Sequence, residues 1–115
     1  SIAHPAYSAV SLGLLHGCAP DAMILCHMAA RKYTVSIPAP IQPLPALIRM
    51  HEDLARFICP SKVGGIGLNT YGMSDAKARA AVAAAERETG LPATDVYRFG
   101  AGKLMDAVEK YYGRR

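Results

Sequence analysis

Residues 63–75 read Val-Gly-Gly-Ile-Gly-Leu-Asn-Thr-Tyr-Gly-Met-Ser-Asp, and no other stretch constrains the fold as tightly. An apolar run, Ile66 to Leu68, stops at an amide and a hydroxyl, turns at a glycine and enters an alanine-rich helix behind Ser74. Serine is a strong N-cap, Asp75 complements the helix dipole in the first turn, and Gly90 with Pro92 closes the far end. A strand feeding a helix in this way belongs to an α/β sheet. In open α/β sheets ligands bind outside the carboxyl ends of the strands, so Asn69 and Thr70 aim donors and acceptors at a ligand position.

The rest of the chain repeats the alternation. Tyr7, Val10 and Leu14 recur at helix spacing, which predicts a helix over 5–16 closed by Gly17. Ala22 to His27 is a continuous apolar run and reads as a strand buried on both faces. The prolines at 38, 40 and 43 make residues 28–44 a long irregular connection. Leu47, Ile48, His51, Leu54, Ala55 and Ile58 mark one face of a second helix, with Pro45 in its first turn and Cys59-Pro60 at its end. Strands are expected near 22–27, 63–69 and 93–97, and a last helix over 101–112. The order predicts an α/β fold, a three-layer parallel sheet with flanking helices and right-handed crossovers. The chain opens on a helix where such a fold needs a strand, so it is expected to be the C-terminal part of a larger protein.

Composition narrows the function classes. The 115 residues suit one domain or part of one, and 51% of them are hydrophobic, enough for a core. No apolar run approaches the roughly 20 residues needed to span a bilayer, and Ser1 begins directly on domain sequence, so neither a membrane partner nor a signal peptide is expected. The net charge of +4 is spread out, apart from Arg31-Lys32 and Arg114-Arg115, which reads as a solvated surface and not a nucleic-acid site. Cys18, Cys26 and Cys59 are odd in number and lack metal-type spacing. They are expected to be reduced thiols in a cytoplasmic protein, with no metal site.

Candidate site residues cluster at the expected strand ends. His27 ends the first strand with Arg31 and Lys32 close behind, a proton donor or acceptor beside an anion site. His4 precedes the first helix, whose N-terminus suits an anion. Arg98 lies between the third strand and the last helix, where its forked guanidinium could hold a carboxylate or phosphate. Gly100-Ala101-Gly102-Lys103 resembles the tail of a phosphate loop, so Gly100 and Lys103 are candidate cofactor contacts. The upstream glycine spacing and a following Ser/Thr are missing, and Leu104 stands in their place. His16 and His51 fall within helices and read as structural. Asp95 is the one acidic residue near a strand end, and no partner for it is evident.

Several of these residues also carry a family resemblance. His4-Pro5-Ala6-Tyr7-Ser8, Leu12-Gly13-Leu14-Leu15-His16-Gly17, Leu25-Cys26-His27, Gly65-Ile66-Gly67-Leu68-Asn69-Thr70 and Arg98-Phe99-Gly100-Ala101 resemble the C-terminal domain of a bacterial and archaeal family. That family was long catalogued as of unknown function, near L-Ala-D/L-Glu epimerase, and includes a D-glutamate N-acetyltransferase. Its members join an N-terminal Rossmann-like domain to a P-loop NTPase-like domain similar to dethiobiotin synthetase. The resemblance implies that the phosphate loop lies upstream of Ser1. One loop departs from the family pattern Cys-His-x-x-Gly-Arg: Ala30 stands where glycine is expected.

The resemblance implies acetyl transfer from acetyl-CoA to the amino group of D-glutamate or a similar acidic amino acid. His27 or His4 would then be the base. Arg31, Asn69, Thr70 and Arg98 would contact substrate, and Gly100 and Lys103 the cosubstrate. No cofactor is expected within this chain. Dethiobiotin synthetase suggests an alternative, an ATP- and Mg-dependent carboxylate ligase. A non-catalytic assembly module is the third reading. An uncovered sheet edge would favour a homo-oligomer.

Overall fold

The computed structural model describes residues 1–113, so the basic pair Arg114-Arg115 lies outside the described residues. The elements are α1 (Ser8–Cys18), β1 (Ala22–Met28), α2 (Leu44–Ala55), β2 (Lys62–Asn69), α3 (Asp75–Thr89), β3 (Ala93–Thr94), α4 (Val96–Phe99) and α5 (Gly102–Tyr112). The strands form one parallel sheet in the order β1-β2-β3, with β2 central. The chain divides into two compact units, Ser1–Asp21 with Arg31–Lys62, and Ala22–Ala30 with Val63–Arg115. Among the described residues no helix is long and apolar enough to cross a membrane.

The second unit holds the sheet. Val63, Ile66 and Leu68 of β2 are buried, and Ile66 is fully so. Ile66 pairs with Ala93 and Gly67 with Thr94 in parallel register. Helix α3 packs against β3 and buries only Ala78, Val82 and Ala85, whose small side chains let a helix approach the sheet closely. Its caps are those expected: Ser74 Oγ accepts from the Lys77 N–H, and Gly90 turns left-handed at φ 70°. Helix α5 packs against β3 and β1. Its buried Leu104 sits over Gly65, where an added Cβ would come within 2.7 Å of Leu104 Cδ2.

Two strand expectations need correction. β1 is not buried on both faces: Leu25 is buried and Cys26 is exposed. Cys26 lies across from Gly67, whose missing side chain leaves the sulfur uncovered. β3 ends at Thr94, well short of residue 97, because Asp95 caps the short helix α4. A side chain that accepts a backbone N–H three residues on starts a helix, and the ladder stops there.

The first unit packs α1 on α2. His16 Nε2 donates to Leu54 O at 2.7 Å, and His51 Nδ1 donates to Leu47 O at 2.7 Å. Both histidines are therefore structural, as their helical positions imply. Helix α1 runs past Gly17 and ends at Ala19, which takes the left-handed cap at φ 44°. Its Tyr7, Val10 and Leu14 stripe is exposed, not buried. Helix α2 stops at Ala55, three residues before Ile58, which is exposed. The connection after β1 is more ordered than its prolines imply. Tyr33 bridges Pro40, and Thr34 Oγ1 both donates to Ile37 O and accepts from the Ala39 N–H.

Candidate functional site

A polar cluster of the second unit forms where β2 and β3 end. Thr70 follows the last residue of β2 and has no exposed surface. Its backbone N–H donates to Asp95 Oδ2 at 3.1 Å, and its hydroxyl donates to the same oxygen. The other Asp95 oxygen accepts the Arg98 N–H at 3.2 Å and caps α4. One buried carboxylate thereby joins the end of β2 to the start of α4.

Arg98 closes the cluster from the other side. Its Nη1 donates to Asp75 Oδ1 at 2.5 Å, and its Nη2 donates to Met73 O at 2.5 Å and Thr70 O at 3.3 Å. Its Nε lies 3.8 Å from Asp95 Oδ2. The turn between β2 and α3 is thus held at three points by one side chain. The Met73 N–H donates to Thr70 O at 3.0 Å, and Gly72 supplies the left-handed φ of 81°. Asn69 is exposed, and its Oδ1 accepts the Tyr71 N–H at 2.9 Å.

Two carboxylates of this unit have lowered pKa values. Burial pushes the Asp95 carboxyl up, but hydrogen bonds from Thr70 and from the backbone of Arg98 and Tyr97 together outweigh it. Asp95 is held below the usual carboxylate range. Glu86 is held low by the Ala93 N–H and by Lys103, against the opposing effect of burial.

The expected site residues separate into groups. Asn69, Thr70 and Arg98 come together at the β2–α3 turn. His27 is half-buried on the neighbouring β1, and the Ala29 N–H donates to Asn69 O at 3.0 Å, which ties the two strand ends. Gly100 has φ 83° and ψ 169°, a conformation for glycine alone, and its carbonyl accepts the Thr94 hydroxyl at 3.3 Å. Lys103 sits in the first turn of α5 with Nζ 2.7 Å from Glu86 Oε1, so its ammonium is paired. His4 and Arg31 belong to the first unit. Arg31 is exposed. His4 is buried, accepts the Ala6 N–H on Nδ1 at 3.0 Å and donates from Nε2 to Val35 O at 2.7 Å. Both of its ring nitrogens are engaged. Ala30 keeps a negative φ, so its turn does not require the glycine of the family pattern.

Sequence reading left Asp95 without a partner, and the structure gives it two, Thr70 and Arg98. The signal was present: an aspartate three residues before Arg98, at the head of Val-Tyr-Arg-Phe, is an N-cap pattern. Asp75 and Glu86, the partners of Arg98 and Lys103, carry no such local signal, since they lie 23 and 17 residues away. Among the described residues no three His, Cys, Asp or Glu side chains gather to hold a metal ion. Chemically, the cluster is a rigid, internally satisfied brace that presents Asn69 and Tyr71 at the carboxyl end of the central strand.

Residues 1–105 match the DUF1611 family, described as a domain of unknown function (DUF1611_C) P-loop domain. The chain belongs to this family. A DUF1611 family protein from Anabaena variabilis ATCC 29413, known from a crystal structure at 2.30 Å, shares the fold with a TM-score of 0.90. It is 40% identical, with 96% of this chain and 33% of that one covered. A relative from Tritonibacter scottomollicae named D-glutamate N-acetyltransferase is 37% identical over 94% of this chain and 33% of its own length. A second of the same name, from a Pseudoalteromonas species, is 31% identical over 91% of this chain and 32% of its own. The chain therefore spans about a third of the length of the relatives it matches.

Proposed function

We propose that these residues form the carboxyl-terminal third of an enzyme that acetylates the amino group of D-glutamate, or a similar acidic amino acid, with acetyl-CoA. The observation that carries this reading is the match of nearly the whole chain to two relatives of that name. The chemistry sets what the protein must supply. The substrate amine loses a proton, its nitrogen bonds to the thioester carbonyl carbon, and the C–S bond breaks to release CoA. A base near the amine and cations for the two substrate carboxylates serve that reaction.

Of the two candidate bases, His27 fits better. It lies on β1, whose end is tied to Asn69 at the carboxyl end of the central strand. Arg31, exposed after β1, is assigned to a substrate carboxylate. Arg98 has its charge met by Asp75 and Asp95, and we assign it to holding the turn. Gly100 and Lys103 stand at the head of α5, and a part in CoA phosphate binding requires Lys103 to leave Glu86. The working protein is proposed to be a cytoplasmic homo-oligomer with reduced thiols.

CoA release by the full-length protein, with D-glutamate and acetyl-CoA, tests the reading. Product above background is expected, and His27→Ala should lower kcat by about a hundredfold or more, the usual contribution of a general base. A wild-type protein with no product sinks the proposal. The P-loop description of the family favours a second reading, an ATP- and Mg-dependent carboxylate ligase. ATP consumed in step with product would select it, and ATP-independent turnover would exclude it.

A further inference from the structure

Tyr71 combines an exposed ring with a pinned backbone. Tyr71 is 80% exposed. Its N–H is held by Asn69 Oδ1, the preceding Thr70 is fixed to Asp95, and the following turn is bound by Arg98 at Met73 O. The backbone that carries the ring is thus held on both sides of Tyr71. A second tyrosine, Tyr97, is 99% exposed and stands two residues after Asp95. The Asp95 carboxylate therefore holds both the turn that carries Tyr71 and the start of the short helix that carries Tyr97. A rigidly mounted aromatic ring gives a large contact surface at small entropic cost on binding.

We propose that Tyr71 is a cosubstrate-binding residue whose ring packs against the flat adenine ring of acetyl-CoA, with Asp95 as the positioning residue that acts on it through Thr70. The inference rests on the acetyl-transfer reading, whose two substrates differ in chemistry. D-Glutamate is a small charged chain with no flat surface. Acetyl-CoA carries a planar base, and base-on-aromatic stacking tolerates a simple exposed platform. Tyr71 therefore selects for the cosubstrate and not for the amino acid.

Steady-state kinetics on the full-length protein separate the two. Tyr71→Ala should raise KM for acetyl-CoA about tenfold, with KM for D-glutamate and the melting temperature unchanged. Tyr71→Phe keeps the ring and should behave as wild type. Asp95→Asn should move KM for acetyl-CoA in the same direction, and Thr70→Val stands in for it if that variant does not fold. An unchanged acetyl-CoA KM in Tyr71→Ala, or equal rises in both KM values, overturns the inference. Calorimetry with acetyl-CoA keeps the two proposals apart. A wild type that binds acetyl-CoA but transfers nothing sinks the reaction alone, and loss of that binding in Tyr71→Ala then supports the inference while its retention overturns it. A wild type that neither binds nor transfers overturns both.

Discussion

Thr70 gives both its backbone N–H and its hydroxyl to one oxygen of Asp95, 25 residues further along the chain. Neither residue has appreciable contact with water, at 0% and 4% exposure. A buried carboxylate is costly unless its oxygens are met by donors, so this pair and Arg98 form a unit. Thr70→Val keeps the shape and the N–H but removes the hydroxyl. It should cost about 1–3 kcal/mol of stability, the penalty for leaving a buried acceptor short of a donor. Urea unfolding of wild type and variant measures the difference. Thr70→Ser, which restores the hydroxyl, should recover most of it.

Asp95 also sets a pH dependence. Its folded pKa lies below the ordinary value of 3.8, because the donors around it outweigh the burial that would raise it. The unfolded chain then binds the proton more readily. The carboxylate's contribution to stability is full above the unfolded pKa and is lost as pH falls through the folded one. Stability should be flat near neutrality and fall below about pH 4, where unfolded aspartate begins to protonate. Glu86, also lowered, acts in the same direction. Melting temperatures between pH 7 and pH 3 test this. In Asp95→Asn the fall over that range should be shallower, and an equal fall would remove Asp95 as its source.

The sequence makes the elements more legible than their commitments to one another. β2 and α3 are clear because their signals are local: an apolar run, a serine cap, a closing glycine. The early end of β3 is hidden because Asp95 reads equally as a polar strand residue and as a helix cap until Thr70 is placed beside it. Cys26 looks like a core residue because the missing cover, at Gly67, lies on another strand. Arg98 looks like a ligand-binding arginine because the three partners of its guanidinium hydrogen bonds, Asp75, Thr70 and Met73, lie 23 to 28 residues away in the chain. Pairings at that separation leave no periodic trace. His51 is legible as structural because it finds the Leu47 carbonyl one turn back in its own helix, whereas the partner of His16, Leu54 O, lies 38 residues away.

The three glycines of β2 should respond differently to the same change. A Cβ at Gly65 would meet Leu104 Cδ2 at 2.7 Å and Pro92 O at 3.1 Å. Leu104 can yield, but the Pro92 carbonyl borders the β3 pairing and cannot move freely. Gly65→Ala should therefore cost about 1–3 kcal/mol, as overpacking does. At Gly67 the nearest atoms are at 3.6 Å, and at Gly64 nothing lies within 4 Å. Alanine at either should be tolerated, since it favours a strand more than glycine does. Thermal denaturation of the three variants checks the order, and a loss at Gly64→Ala equal to that at Gly65→Ala would contradict it.

Helix α1 leads to the last prediction. Its sequence, Ser-Ala-Val-Ser-Leu-Gly-Leu-Leu-His-Gly-Cys, holds no Asp, Glu, Lys or Arg, and none of its residues is buried. An uncharged helix rich in Ala, Val and Leu is ordinarily covered by protein on its apolar face. Tyr7, Val10 and Leu14 instead stand 54%, 61% and 65% exposed along one stripe. The 115-residue chain on its own should associate through this stripe, giving a mass above the monomer's 12.2 kDa in light scattering. Val10→Glu combined with Leu14→Glu places two like charges on that face. The double variant should run as a monomer and keep its melting temperature, because the side chains it replaces are not part of the core. A wild-type chain that is monomeric at the same concentration would remove α1 as an association surface.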